Sequence, residues 1–289
     1  MKTTYTFGAA AVALAMAVAP AHAIDVGPAD YTILPGGTTL GMLYWQHLSS
    51  DKLTVNGNQI PGSNFDADIA ILRSLNYFTL GDMPAAFHVV APFASIGTAN
   101  IGTIKQSTSE GVGDTTLGLT LWPVQPDNPD TGTTLGFSLF VTLPTGAYDP
   151  ARIGIGEGTY TITPQVGLIQ GLGGGFYFDG VLDVALQQDH EENSQTYERA
   201  PAWQLQAMLR KQWGPTTSLA IGYSGQRGGA QKVNGVETGL KAHRDQARIY
   251  GTHFLTPTTQ IQAMYGKDFN VEGGFEYDSV VQLRLVQVF

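Results

Sequence analysis

The stretch "AWQLQAMLRKQW", residues 202–213, alternates. Trp203, Leu205, Ala207, Leu209 and Trp213 share one parity, Gln204, Gln206, Met208 and Arg210 take the other, and Lys211 alone breaks the rule near the end. A period of two is that of a β-strand, whose successive side chains point to opposite faces. The run is about twice the five or six residues typical of a soluble strand. Trp203 and Trp213 stand ten residues apart, which at about 3.3 Å per residue and a tilt near 40° separates them by roughly 25 Å. That is the spacing of the two aromatic girdles of a membrane-spanning barrel, where amphipathic rings favour the lipid–water boundary. Two tryptophans in a soluble sandwich core are the bland alternative. Recurrence of the pattern along the chain outweighs it.

Alternating segments fall at roughly 38–49, 65–78, 86–97, 113–122, 133–144, 159–170, 175–188, 201–213, 217–227, 243–255, 259–269 and 277–289. They predict an all-β fold, an antiparallel up-and-down transmembrane barrel of about twelve strands, an even number as single-chain bacterial barrels require. Connections after the even segments are brief and carry breakers, as at Gly81-Asp82-Met83-Pro84 and Gly214-Pro215, while those after odd segments are generally longer, as from Thr145 to Gly158. Short periplasmic turns and longer extracellular loops are the outer-membrane arrangement.

Composition agrees. The 289 residues include 36 Gly and no Cys, with 10% aromatic and 13% charged residues, against a usual charged share of about 25%. Residues 1–23 read as a secretory signal peptide: Lys2, a short apolar stretch, and Ala21-His22-Ala23 as a small-x-small cleavage site. No later stretch is long enough for a transmembrane helix. Residues 24–289 then form the barrel unit, with 24–37 as an N-terminal segment that lies either in the periplasm or inside the lumen. The chain carries a net charge of −9, and without a basic stripe it does not read as a nucleic-acid binder.

Polar groups on the inward parity line water or pair across the interior, since each would be costly in lipid. The lumen-lining candidates are Trp45, Asp66, Asp68, Phe140, Asp179, Asp183, Met208, Arg210, Arg244, Arg248, Met264 and Arg284. Acids gather in the early strands and the seventh, arginines in the eighth, tenth and twelfth. A transverse field and a structural salt-bridge network both fit that split. The apolar members of the set suit either a pocket for a small hydrophobic solute or simple filling of a narrow barrel.

Enzymatic chemistry finds little support. Outer-membrane phospholipases carry a short His-x-Ser motif; His47-Leu48-Ser49 has that spacing but is followed by Ser50-Asp51 rather than Asn-Gly. No catalytic residue, metal site or cofactor is expected, and Asp189-His190-Glu191-Glu192 reads as an acidic surface loop.

Gly111-Val112-Gly113-Asp114, the run Val141 to Asp149 (VTLPTGAYD), and Gly156-Glu157-Gly158-Thr159-Tyr160 followed by Pro164 resemble the outer-membrane "meta-pathway of phenol degradation" family. That resemblance implies passage of aromatic compounds linked to their breakdown and supplies no binding residues. From the residues alone the same motifs are barrel ends: Pro144 stops pairing and Gly146 permits a sharp departure.

The expected protein is therefore a passive bacterial outer-membrane channel for small hydrophobic solutes, with membrane lipid and the outer-membrane assembly machinery as partners. The alternatives are a closed structural or partner-binding barrel and, more remotely, a lipid hydrolase. The chain ends DSVVQLRLVQVF, residues 278–289, still alternating. The last strand must pair with the first to leave no edge in lipid, and terminal Phe289 resembles the C-terminal signal read by that assembly machinery.

Overall fold

The computed structural model describes residues 25–289; the expected signal peptide lies outside the described residues. Twelve long strands form the wall: β1 (Thr39–Ser50), β2 (Asn64–Leu80), β3 (Met83–Ile101), β4 (Thr115–Val124), β5 (Thr133–Leu143), β6 (Thr161–Gly173), β7 (Phe176–Gln187), β8 (Ala202–Trp213), β9 (Thr217–Gly228), β10 (His243–Thr256), β11 (Thr259–Glu276) and β12 (Ser279–Val288). Each pairs antiparallel with its chain neighbours, and β1 pairs with β12 from Leu40↔Val288 to Ser49↔Ser279. The barrel is closed. Phe289 completes the seam, its N–H donating to the Thr39 carbonyl at 2.8 Å. Every ladder then has a partner, which an apolar solvent demands.

The two faces of the wall are inverted relative to a soluble protein. On β8, Trp203 and Leu205 are 51% and 48% exposed while Gln204 and Gln206 are 1% exposed. Leu139, Leu182, Ile221, Ile249 and Leu283 continue the outward apolar belt, and Thr120, Thr163, Gln165 and Asp183 lie buried inside. An exposed apolar band of this extent marks a surface made for lipid.

At one end the turns are short: 81–82, 174–175, 214–216 and 257–258, with 125–132 the longest. Gly81 and Gly214 take φ of +61° and +60°, the left-handed region where glycine meets no side-chain clash. At the other end four of the loops after odd strands join into small sheets or fold inward. Residues 190–199 and 231–237 make a four-stranded sheet, and the hairpin Lys52–Val55/Asn58–Ile60 extends the upper end of β11. One expectation fails here. Residues 270–276, read as loop, belong to an 18-residue β11, and the link to β12 is only residues 277–278. Bulges in the β10–β11 pairing, including one between Asp245 and Gln246, shift the register and break the alternation that would have revealed the strand.

Candidate functional site

The lumen is occupied in its periplasmic half by the chain's own residues 25–37. From the rim the segment climbs inward: Gly37 N–H donates to the Tyr77 carbonyl at 2.8 Å, the Tyr77 hydroxyl donates to the Thr32 carbonyl, and the Trp122 indole donates to the Tyr31 carbonyl at 3.0 Å. Tyr31 is the wedge. Its hydroxyl lies 2.9 Å from Gln165 Oε1 and 2.8 Å from Ser138 Oγ, its ring meets Trp122 edge-on, and Trp122 stacks on Tyr77 with centroids 5.7 Å apart. The ring has room because Gly136 and Gly167 face it; a Cβ on Gly167 would sit 2.1 Å from Tyr31 Cε2.

Charge fixes the inner end. Asp30 Oδ1 accepts from Arg284 Nη1 at 2.6 Å, and its Oδ2 lies 3.7 Å from Arg73 Nη1. Asp25 Oδ1 accepts from Arg248 Nη1 at 3.1 Å and from Gln204 Nε2 at 3.2 Å. Ala29 N–H donates to Asp179, which also takes a two-pronged bond from Arg210, Nε to Oδ2 at 2.9 Å and Nη2 to Oδ1 at 3.3 Å. Asp25 stays partly open to water, whereas Asp30, Asp179 and the four arginines are buried, and charges drawn that far from water persist only when paired and hydrogen-bonded.

Above the plug lies a cavity of about 240 Å³. Asp25, Gly27 and Asp30 contribute from the plug. Ile69, Ile71, Val90 and Pro92 on β2 and β3 and Met264 on β11 form apolar walls, with Tyr44, Tyr250 and Tyr277 among them. Arg73, Arg244, Arg248 and Arg284 also border it, and Ile155 reaches it from the loop between β5 and β6. Arg244 is held within the wall, 3.4 Å from Asp268 and 2.6 Å from the Phe275 carbonyl.

Of the residues expected in the lumen, Phe140, Asp179, Asp183, Met208 and Arg210 on β5, β7 and β8 face inward, as do Arg244, Arg248, Met264 and Arg284 on β10 to β12. Arg244, Arg248, Met264 and Arg284 border the cavity; Phe140 instead packs on His88 at 5.4 Å. Trp45, Asp66 and Asp68 are corrected: they lie on the outer face. Trp45 is 42% exposed beside outward Leu43, and both inward and outward sets of β1 are apolar, so alternation carried no contrast there. Asp66 and Asp68 sit on an upper part of β2 that continues toward the long loops, where outward side chains meet water rather than lipid. They flank His47, whose Nδ1 is 3.1 Å from Asp68 Oδ1 and Nε2 3.6 Å from Asp66 Oδ2. Both ring nitrogens are turned toward carboxylates, and among the described residues no hydrogen bond joins His47 to Ser49. Trp203 and Trp213 face outward at opposite ends of β8, 51% and 53% exposed.

Sequence reasoning missed Asp25, Asp30, Tyr31 and Arg73. The phase error on β2 hid Arg73, and the plug residues belong to no periodic segment. Inward-parity Gly136 and Gly167 in otherwise bulky strands were the available signal, since a strand glycine often marks close approach of another group.

A sequence model described as "Putative MetA-pathway of phenol degradation" matches residues 49–285. The chain belongs to this family. Among solved structures, an outer membrane channel from Pseudomonas putida F1 is 29% identical, with 92% of this chain and all of that one aligned at a TM-score of 0.83. A KdgM porin (5% identity, 86% and 99% of the two chains) and a TodX deltaS2S3 mutant monoaromatic hydrocarbon channel (11%, 98% and 94%) align at 0.48 each. No curated protein matches the sequence. The family member described here is an outer-membrane β-barrel of the channel type.

Proposed function

We propose that this barrel lets small hydrophobic solutes, aromatic compounds above all, cross the outer membrane passively. The observation that carries the reading is the apolar-walled cavity seated directly on a plug made of a short chain segment. Pockets for small solutes combine apolar lining with a few fixed polar groups, and a seal held by side-chain contacts can move without unfolding the wall. The family description, which ties the group to phenol degradation, supports the solute class. Enzymatic chemistry has no support from the outer-wall histidine. The test is flux of phenol and toluene into liposomes containing folded protein; entry above that of empty liposomes is expected, and none would favour a closed, partner-binding barrel.

Phe289 is 76% exposed at the seam, available to the assembly machinery we assign it to. Its deletion should lower the yield of inserted barrel while leaving the solute preference of the inserted fraction unchanged. Normal insertion would remove that role.

A further inference from the structure

The arginines of the lumen differ in how they are paired. Arg210 and Asp179 form a complete fork, two parallel bonds from one guanidinium to one carboxylate, the strongest form of such a pair. Around the cavity no such fork exists among the described residues. Asp30 divides its carboxylate, one oxygen on Arg284 and the other 3.7 Å from Arg73, and that second oxygen also accepts the Gly27 N–H. Nε of Arg284 and Nε of Arg73 have no hydrogen-bond partner, although both side chains are more than nine-tenths buried. Buried donors left unpaired are rare and call for a reason. Arg248, by contrast, gives Asp25 a single bond but is otherwise engaged by Gln246, Gln206 and the Tyr250 hydroxyl.

Two cavity arginines, 73 and 284, therefore share the one Asp30 carboxylate incompletely, with His88 beside Arg73 and Gln260 beside Arg284 as further side-chain hydrogen-bond partners. Two other charged groups at the cavity are already engaged: Arg244 by Asp268, and Asp114 by the backbone N–H groups of Gly146 and Glu157. A neutral hydrocarbon would have no use for these guanidinium groups. The volume, about 240 Å³, exceeds the roughly 150 Å³ that holds benzene and falls below the roughly 300 Å³ at which drug-sized sites begin, so it fits one ring with a small substituent.

We propose that the cavity binds a monocyclic aromatic carboxylate, whose anionic group takes the place of Asp30 on Arg284 and Arg73 while the ring lies against Ile69, Ile71 and Met264. Loading the site thereby loosens the plug, so the solute opens its own path. This rests on the channel reading and narrows it.

The full-length protein in planar bilayers and in detergent is titrated with benzoate and, in parallel, with benzyl alcohol, which keeps the ring and lacks the charge. Benzoate should bind saturably and raise conductance; benzyl alcohol should do neither at matched concentration. Arg284→Gln should weaken benzoate binding on the order of tenfold, the loss of one charge-assisted bond, and Asp30→Asn, which removes the competitor, should strengthen it by a similar factor. Opposite signs separate a shared site from general loosening, which would move both variants the same way. Benzyl alcohol flux without saturable benzoate binding overturns this proposal alone. Absence of flux and binding for both solutes overturns the channel reading with it.

Discussion

The same twelve strands enclose two unlike half-lumens. The periplasmic half is filled: Tyr31, Tyr77 and Trp122 interlock, glycine gives way where the wedge needs space, and the Tyr31 hydroxyl is satisfied on Ser138 and Gln165. The extracellular half holds the cavity, with apolar walls facing partly paired arginines. Packing in the first half is of the kind that resists change of shape. In the second, charge does the holding, and charge pairs exchange partners. A barrel can thus be tight and responsive at once, provided the two halves meet at one hinge of contacts, here Asp25 to Tyr31.

Deleting residues 25–34 should erase the difference outright. Single-channel conductance is expected to rise roughly tenfold as a side-chain-filled lumen becomes a watery one, with heat-modifiable gel migration showing that the wall still forms. Unchanged conductance would place the seal elsewhere, in the inward-folded loops.

Asp30→Ala strikes only the charged contact. It leaves Arg284 and Arg73 buried beside each other without their shared carboxylate, and breaking a buried pair in this way costs about 3–5 kcal/mol. Because the plug can undock to relieve it, the loss should appear as frequent openings in single-channel records rather than as a lower melting temperature of the wall.

Gly167→Ala strikes only the packed contact. The added carbon overlaps the Tyr31 ring, and overpacking of this kind costs about 1–3 kcal/mol. Pairing it with Tyr31→Ala should remove the penalty, so that the double variant melts with Tyr31→Ala alone; additive losses would mean that the strand itself, and not the wedge, rejects the methyl group.

What could be read from the sequence follows the same division. β8 was legible because its outward face meets lipid along its length and its inward face carries glutamines and an arginine, so polarity and direction agree. β2 was not, because its upper outward face meets water and carries Asp66 and Asp68, whereas its inward face carries Phe65, Ala67 and Ile69 beneath folded-in loops. There the usual sign of polarity is reversed. The plug was illegible for a different reason. Residues 25–37 make only one-off contacts, and nothing in their spacing separates a lumenal course from a periplasmic one; only the inward glycines of β5 and β6 hinted at something to accommodate.

The smallest effect expected lies farthest from the plug, in the extracellular sheet. His190 stacks on Tyr197 with centroids 5.3 Å apart, and its Nε2 lies 3.0 Å from the Tyr148 hydroxyl. Burial lowers its pKa below the ordinary value, and Arg199 adds to this, while Glu157 and Glu192 pull the other way. A histidine held neutral by the fold binds its proton more readily once the loop opens. Its contribution is therefore present above the unperturbed value of about 6.5 and declines as pH falls through that value toward the folded pKa. With the ring half-buried and screened by solvent, the loss should stay below about 1 kcal/mol. Amide exchange across Gln195–Arg199, corrected for its intrinsic pH dependence, should quicken on acidification, while β8 and β9 keep their protection. His190→Phe, which retains the stack and cannot take a proton, should abolish the acid response; if the response persists in that variant, His190 is not its source.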